Sequence, residues 1–181
     1  MKLYIATIIL FTQLISGATL ALNSSAVENY FYEIALGAEY GSNDVTIKKW
    51  TSDINIYCDG EWNNELLREL DTIINDLTPL MGSVKINVVK QKWAANFIAY
   101  IGSPTIYSTS IEPKTAPYIR YSNAMFWIYW SGRNHIYKGS MWIKPTLPAM
   151  KLKHVLREEL TQSLGLMNDS WKYTNSIFYQ G

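Results

Sequence analysis

The hydrophobic positions of this chain change their period several times, and each change marks an element. From Ala149 to Leu164 nothing breaks a helix, and Leu152, Leu156, Leu160 and Leu164 recur every four residues. At about 100° per residue that spacing makes one apolar stripe. Pro148 stands where a helix accepts proline, and Gly165 stands where glycine commonly ends one. A second helix is predicted over 61–77, with Leu66, Leu67, Leu70, Ile73, Ile74 and Leu77 on one face and Pro79 and Gly82 closing it. Between the helices the period falls to two. Ile54, Ile56 and Cys58 alternate with polar neighbours, as do Val84, Ile86 and Val88, and 97–101 reads as a further strand. The aromatic runs 125–130 and 135–143, joined by Ser131-Gly132-Arg133-Asn134, predict a hairpin. A short helix over 27–36, an extended piece over 46–50 and a long proline-bearing loop over 102–117 complete the pattern. The order β-α-β-β-β-β-α fits many α/β or α+β folds, of which α+β is the expectation here.

Composition narrows the classes. The 181 residues suit one domain with a sizeable core. A net charge of +1 without a Lys/Arg run argues against nucleic acid as a partner. The start of the chain changes the picture more. Lys2, the apolar run from Leu3 to Ile15 and small residues before Thr19 or Leu22 predict a signal peptide over 1–21. The run is short of the ~20 residues a spanning helix needs, so residues 22–181 are expected as one exported domain, secreted or periplasmic, with no membrane span. Cys58 is the only cysteine, which excludes an internal disulfide and a thiolate metal cage.

Candidate chemistry concentrates in the last helix. His154, Glu158 and Gln162 fall four apart and form a second stripe beside the leucines, with Glu159 next to it. Three uses are open: a polar network, a metal site, or carboxylate chemistry without metal. His154 offers an alternative ligand to the Glu158/Gln162 pair. Asp169 is the nearest further carboxyl for paired-carboxylate work. Glu158 is expected to be buried and to accept from His154 one turn earlier, from backbone N–H groups of the Asn168 to Ser170 turn, or from both, with Arg157 on the solvent side.

The stretch Glu158-Glu159-Leu160-Thr161-Gln162-Ser163-Leu164-Gly165-Leu166-Met167-Asn168-Asp169-Ser170, followed by Ser176-Ile177-Phe178, resembles a family of secreted bacterial proteins of unknown function related to the zincin metalloproteases. Weaker pieces upstream extend the likeness: 31–41, Ile47 to Trp50, and Ala95-Asn96. In the zincin frame H-E-x-x-H-x-x-G-x-x-H, Glu159 falls on the general base and Gly165 on the turn glycine. The metal-ligand positions read Glu158, Gln162 and Asn168. The resemblance implies a zincin-like fold: a twisted mixed sheet, one packing helix, and an active-site-type helix behind an edge strand. It implies a metallopeptidase-like hydrolase or a degenerate relative, with Glu158 and Glu159 as catalytic candidates. Trp127 and Tyr129 of the edge strand would be substrate contacts. The missing histidines argue against zinc and leave another divalent metal open as cofactor. The competing expectation is a non-catalytic module that holds a peptide, protein or glycan. The family continues beyond the motif, so the end at Gly181 is expected to truncate the domain.

Overall fold

The computed structural model describes residues 24–37 and 45–179. The predicted export segment and part of the upstream motif, Ala38 to Gly41, lie outside them. A mixed sheet is the centre of the fold. Its strands are β1 (Lys49–Trp50), β2 (Ile54–Gly60), β3 (Ile86–Val88), β4 (Phe97–Ile101), β5 (Ala124–Trp130) and β6 (His135–Ile143). They run β1-β6-β4-β2-β3, with β5 on the other side of β6. Every pairing is parallel except β5 with β6, the predicted hairpin. The helices are α1 (Ser24–Ala35), α2 (Asn64–Leu77), a single turn α3 (Pro104–Ile106) and α4 (Ala149–Gln162). The observed class is therefore mixed α and β around a largely parallel sheet. No described helix is long and apolar enough to cross a membrane.

Alternation along each strand sends side chains to two faces, and each face has its own core. On one face Ile54, Ile56, Phe97, Ala99, Ile136, Met141 and Ile143 meet Leu66, Leu70 and Ile73 of α2 and Leu152, Val155, Leu156 and Leu160 of α4. Gly139 belongs to this face, because a Cβ there would stand 2.8 Å from the Phe97 ring. The two helices are tied by Lys153 to Glu65 at 2.6 Å and by Arg157 to Asp76 at 2.8 Å. Arg157, expected toward solvent, faces α2 instead.

The opposite face is covered by the segment 102–123, the part 102–117 being expected from its prolines to be a loop. It folds as α3, a π-helical turn Tyr107–Ile111 and two 3-10 turns. Tyr107 and Ile119 pack there on Tyr100, Met125 and Trp142. The Tyr107 hydroxyl shares a hydrogen bond with Ser140 Oγ at 2.8 Å. Burial pushes the Tyr107 phenol far up, against the lowering effect of that bond, so it stays protonated. Asn96, part of the upstream motif, stitches the sheet: its Oδ1 accepts from the Asn55 N–H at 2.7 Å and its amide donates to the Asp53 carbonyl at 2.8 Å.

Candidate functional site

Helix α4 begins directly after Pro148, whose extended backbone (φ −55°, ψ 144°) is not continued from a preceding turn. It ends in a tight closure: the N–H groups of Gly165 and Leu166 both donate to the Gln162 carbonyl, at 3.0 and 3.1 Å. Gly165 takes φ 122°, a conformation that favours glycine, and a Cβ on it would lie 2.1 Å from the Lys48 carbonyl oxygen. The turn glycine of the motif thus lets the chain just before β1 pass against the helix end. The Trp50 indole fixes the same junction by donating to the Ser163 carbonyl at 3.0 Å.

The buried face of α4 is Leu152, Val155, Leu156, Glu159 and Leu160, with Gln162 and Ser163 at its end. Glu159, at the general-base position, is the carboxylate of this helix that goes inward; it is 8% exposed. Its charge adds to the rise of the Tyr107 phenol on the far side of the sheet. Glu158, expected to be buried, is mostly but not fully so, its side chain being 16% exposed. The reason is rotational: a residue one step from the inward Glu159 is turned about 100° from the core. His154 Nε2 lies 3.8 Å from Glu158 Oε2, within ion-pair reach but longer than the hydrogen bond expected from the sequence. His154 itself is mostly exposed.

The other two ligand-equivalent residues are engaged by the chain around them. The Gln162 amide donates to Asp169 Oδ1. Burial raises the Asp169 carboxyl above its usual range, and the Gln162 bond opposes that rise. The Asn168 amide donates to the Leu36 carbonyl and to the Glu33 carbonyl, the latter at 3.2 Å, while the Asn168 N–H donates to the Ile34 carbonyl at 3.1 Å. Ser170 Oγ donates to Glu33 Oε1 at 2.5 Å, and Tyr30 donates to Ser176 Oγ at 2.6 Å. The motif after the helix therefore docks α1, from more than a hundred residues away in sequence.

Lys48 is a residue that sequence reading passed over. It is 1% exposed, its ammonium donates to the Thr46 carbonyl at 2.8 Å, and it lies 5.1 Å from the centre of the Trp130 ring. A Lys-Lys pair usually signals surface; here β-alternation puts Lys49 outside and Lys48 inside. Trp127 and Tyr129 sit on the sheet face away from α4. Trp127 stacks on Tyr118 at 6.4 Å, and Tyr129 donates to Glu112 Oε1 at 2.7 Å. The side chains of β5 on the α4 side are Ala124, Phe126, Ile128 and Trp130.

This donor set does not fit zinc. It offers one carboxylate and two neutral amides, and both amides are oriented by bonds to Asp169 and to α1. Among the described residues no group of three or more His, Cys, Asp and Glu side chains is arranged to hold a metal ion. No curated protein matches the chain. The model of a family described as "Protein of unknown function (DUF2927)" matches residues 24–181, and the chain belongs to that family.

Proposed function

We propose that the chain is an exported, metalloprotease-related protein on a zincin-like scaffold, whose former catalytic helix now serves as a clasp and whose edge strand β5 holds an extended peptide without cutting it. Several features support the scaffold reading. One antiparallel strand lies at the sheet edge, and α4 packs against β5 and β6 on one face. A glutamate occupies the general-base position, and a glycine closes the helix. Export rests on Lys2 and the apolar run to Ile15.

The observation that carries the non-catalytic part is the Asn168 side chain. A third ligand would have to project freely toward the helix; this amide is spent on the backbone of α1. What supports peptide holding is the edge itself. Only β6 pairs with β5 among the described residues, so alternate N–H and C=O groups of β5 face away from the sheet. The partly buried Phe126 and Trp130 flank the buried Ile128 on the α4 side of that edge and would take alternate side chains of an added strand.

The test is hydrogen exchange of the mature protein with a pool of extended peptides. Binding by strand addition predicts slowed exchange at alternate β5 amides and nowhere else in the sheet. Binding without protection in β5 would refute the edge as the site.

A further inference from the structure

We propose that the peptide held by β5 is acidic, with an aspartate or glutamate side chain beside Tyr129 where two lysines meet it, a selectivity that rests on the peptide-holding role proposed above for that strand. Tyr129 is the last residue but one of β5, and the register sets Lys138 of β6 directly opposite it. The Lys138 ammonium lies 5.4 Å from the centre of the Tyr129 ring. The Lys114 ammonium, from the segment that covers this sheet face, lies 4.6 Å from the same centre. An aromatic ring attracts an ammonium group without neutralising it. Among the described residues neither ammonium forms an ion pair.

One carboxylate is close by. Glu112 Oε1 accepts the Tyr129 hydroxyl at 2.7 Å and the Lys114 backbone N–H at 3.4 Å. The opposite charges are not presented alike. Glu112 is 2% exposed, whereas Lys114 and Lys138 are both exposed residues. Burial first, and the Glu112 bond second, raise the Tyr129 phenol well above its usual range, so the ring itself stays neutral. Two ammonium groups against one carboxylate leave one positive charge over, and the exposed part of the cluster is the positive part.

A strand added to β5 would set its side chains about 5 Å from those of β5 on the same face. An aspartate or glutamate opposite Tyr129 would then lie beside the ring against which both ammonium groups stand. A glutamine there keeps the shape and loses the charge, and a lysine brings a third cation to the cluster. Trp130, the next residue, belongs to the α4 face. The Lys48 ammonium near its ring is buried and donates to Thr46, so the preference belongs to the Tyr129 side of the strand.

The experiment uses end-blocked heptapeptides of alternating threonine and valine, with glutamate, glutamine or lysine at the centre and a neutral fluorophore. Anisotropy with the mature protein gives the affinities, and hydrogen exchange at β5 reports whether the edge is the site. The glutamate peptide should bind about fivefold or more tighter than the glutamine peptide, with the lysine peptide weakest. Raising the salt to about 0.5 M should narrow the gap. Lys114→Met and Lys138→Met, both at exposed positions, should each cut the glutamate-over-glutamine preference by about half or more. Lys85→Met, an exposed site just before β3 at the other edge of the sheet, removes the same charge and should leave the preference intact. Equal affinities with β5 protected would overturn the acidic preference and leave the edge standing as the site. A preference lost equally in Lys85→Met would also overturn it, since net charge alone would then explain it. No protection of β5 by any of the peptides would refute the edge itself, and this proposal with it.

Discussion

A methyl group built on Gly165 would sit 2.1 Å from the carbonyl oxygen of Lys48. The contact joins the end of α4 to the segment entering β1, and it is backbone against backbone, so no side-chain rotation can relieve it. Gly165 also holds φ 122°. Gly165→Ala should therefore cost about 3 kcal/mol or more, combining an unfavourable dihedral with a forced backbone shift. Urea denaturation checks this: a midpoint close to wild type would show that the junction is looser than the contact implies.

Asn168 is expected to matter for stability through α1. Its amide holds two carbonyls at the end of that helix. Asn168→Ala should lower stability by about 1–3 kcal/mol, the cost of leaving such groups without a partner. Amide exchange at Ile34 to Leu36 should quicken more than exchange in β4. Uniform quickening across both would mean that α1 is not a separately docked element.

Stability should also respond to pH through Asp169. Its carboxyl is raised in the folded protein, mainly by burial. The folded state therefore holds a proton at Asp169 more tightly than the unfolded chain does. This contribution is fully present below the unfolded pKa and is lost as pH rises through the carboxylate range toward the folded value. Asp169→Asn keeps an oxygen for Gln162 and removes the titration. The melting temperature of the variant relative to wild type should rise between acid and neutral pH. A difference that stays flat, or falls with pH, would show the carboxylate to be welcome in its ionised form.

The zincin frame itself can be probed by restoring its ligands. Glu158 and Gln162 are one turn apart, with Glu159 between them. Glu158→His with Gln162→His recreates H-E-x-x-H and should raise zinc affinity clearly above that of the parent protein. Zinc titration by competition with a chromogenic chelator reads this out. A folded double variant with unchanged affinity would remove the support for the alignment.

How much of this was legible follows from how local each feature is. The stripe Leu152, Leu156, Leu160 predicted the buried side of α4, and the Leu66, Leu70, Ile73 spacing predicted that of α2, because helix periodicity is written in neighbouring residues. The β5–β6 hairpin was legible for the same reason. The inward turn of Glu159 was harder to see, since a charge within an apolar stripe reads as the edge of that stripe. Lys48 was hidden by its neighbour Lys49. The packing of 102–123 was missed because Tyr107 and Ile119 follow no single period and three prolines suggest a loop. Glu112, whose burial depends on Tyr129 from a different element, left no sequence signal at all. Asn168 was read as a ligand position; its bond to α1 joins segments that only the fold brings together.

The central claim is that the protein holds extended peptides and does not cut them. The most direct measurement is mass spectrometry of a peptide library incubated with mature, zinc-supplemented protein, with bound and released fractions analysed separately. The account predicts intact peptides enriched in the bound fraction and no new termini in either. New termini that appear with the wild-type protein and vanish with Glu159→Gln would contradict it, and would make α4 a working catalytic helix.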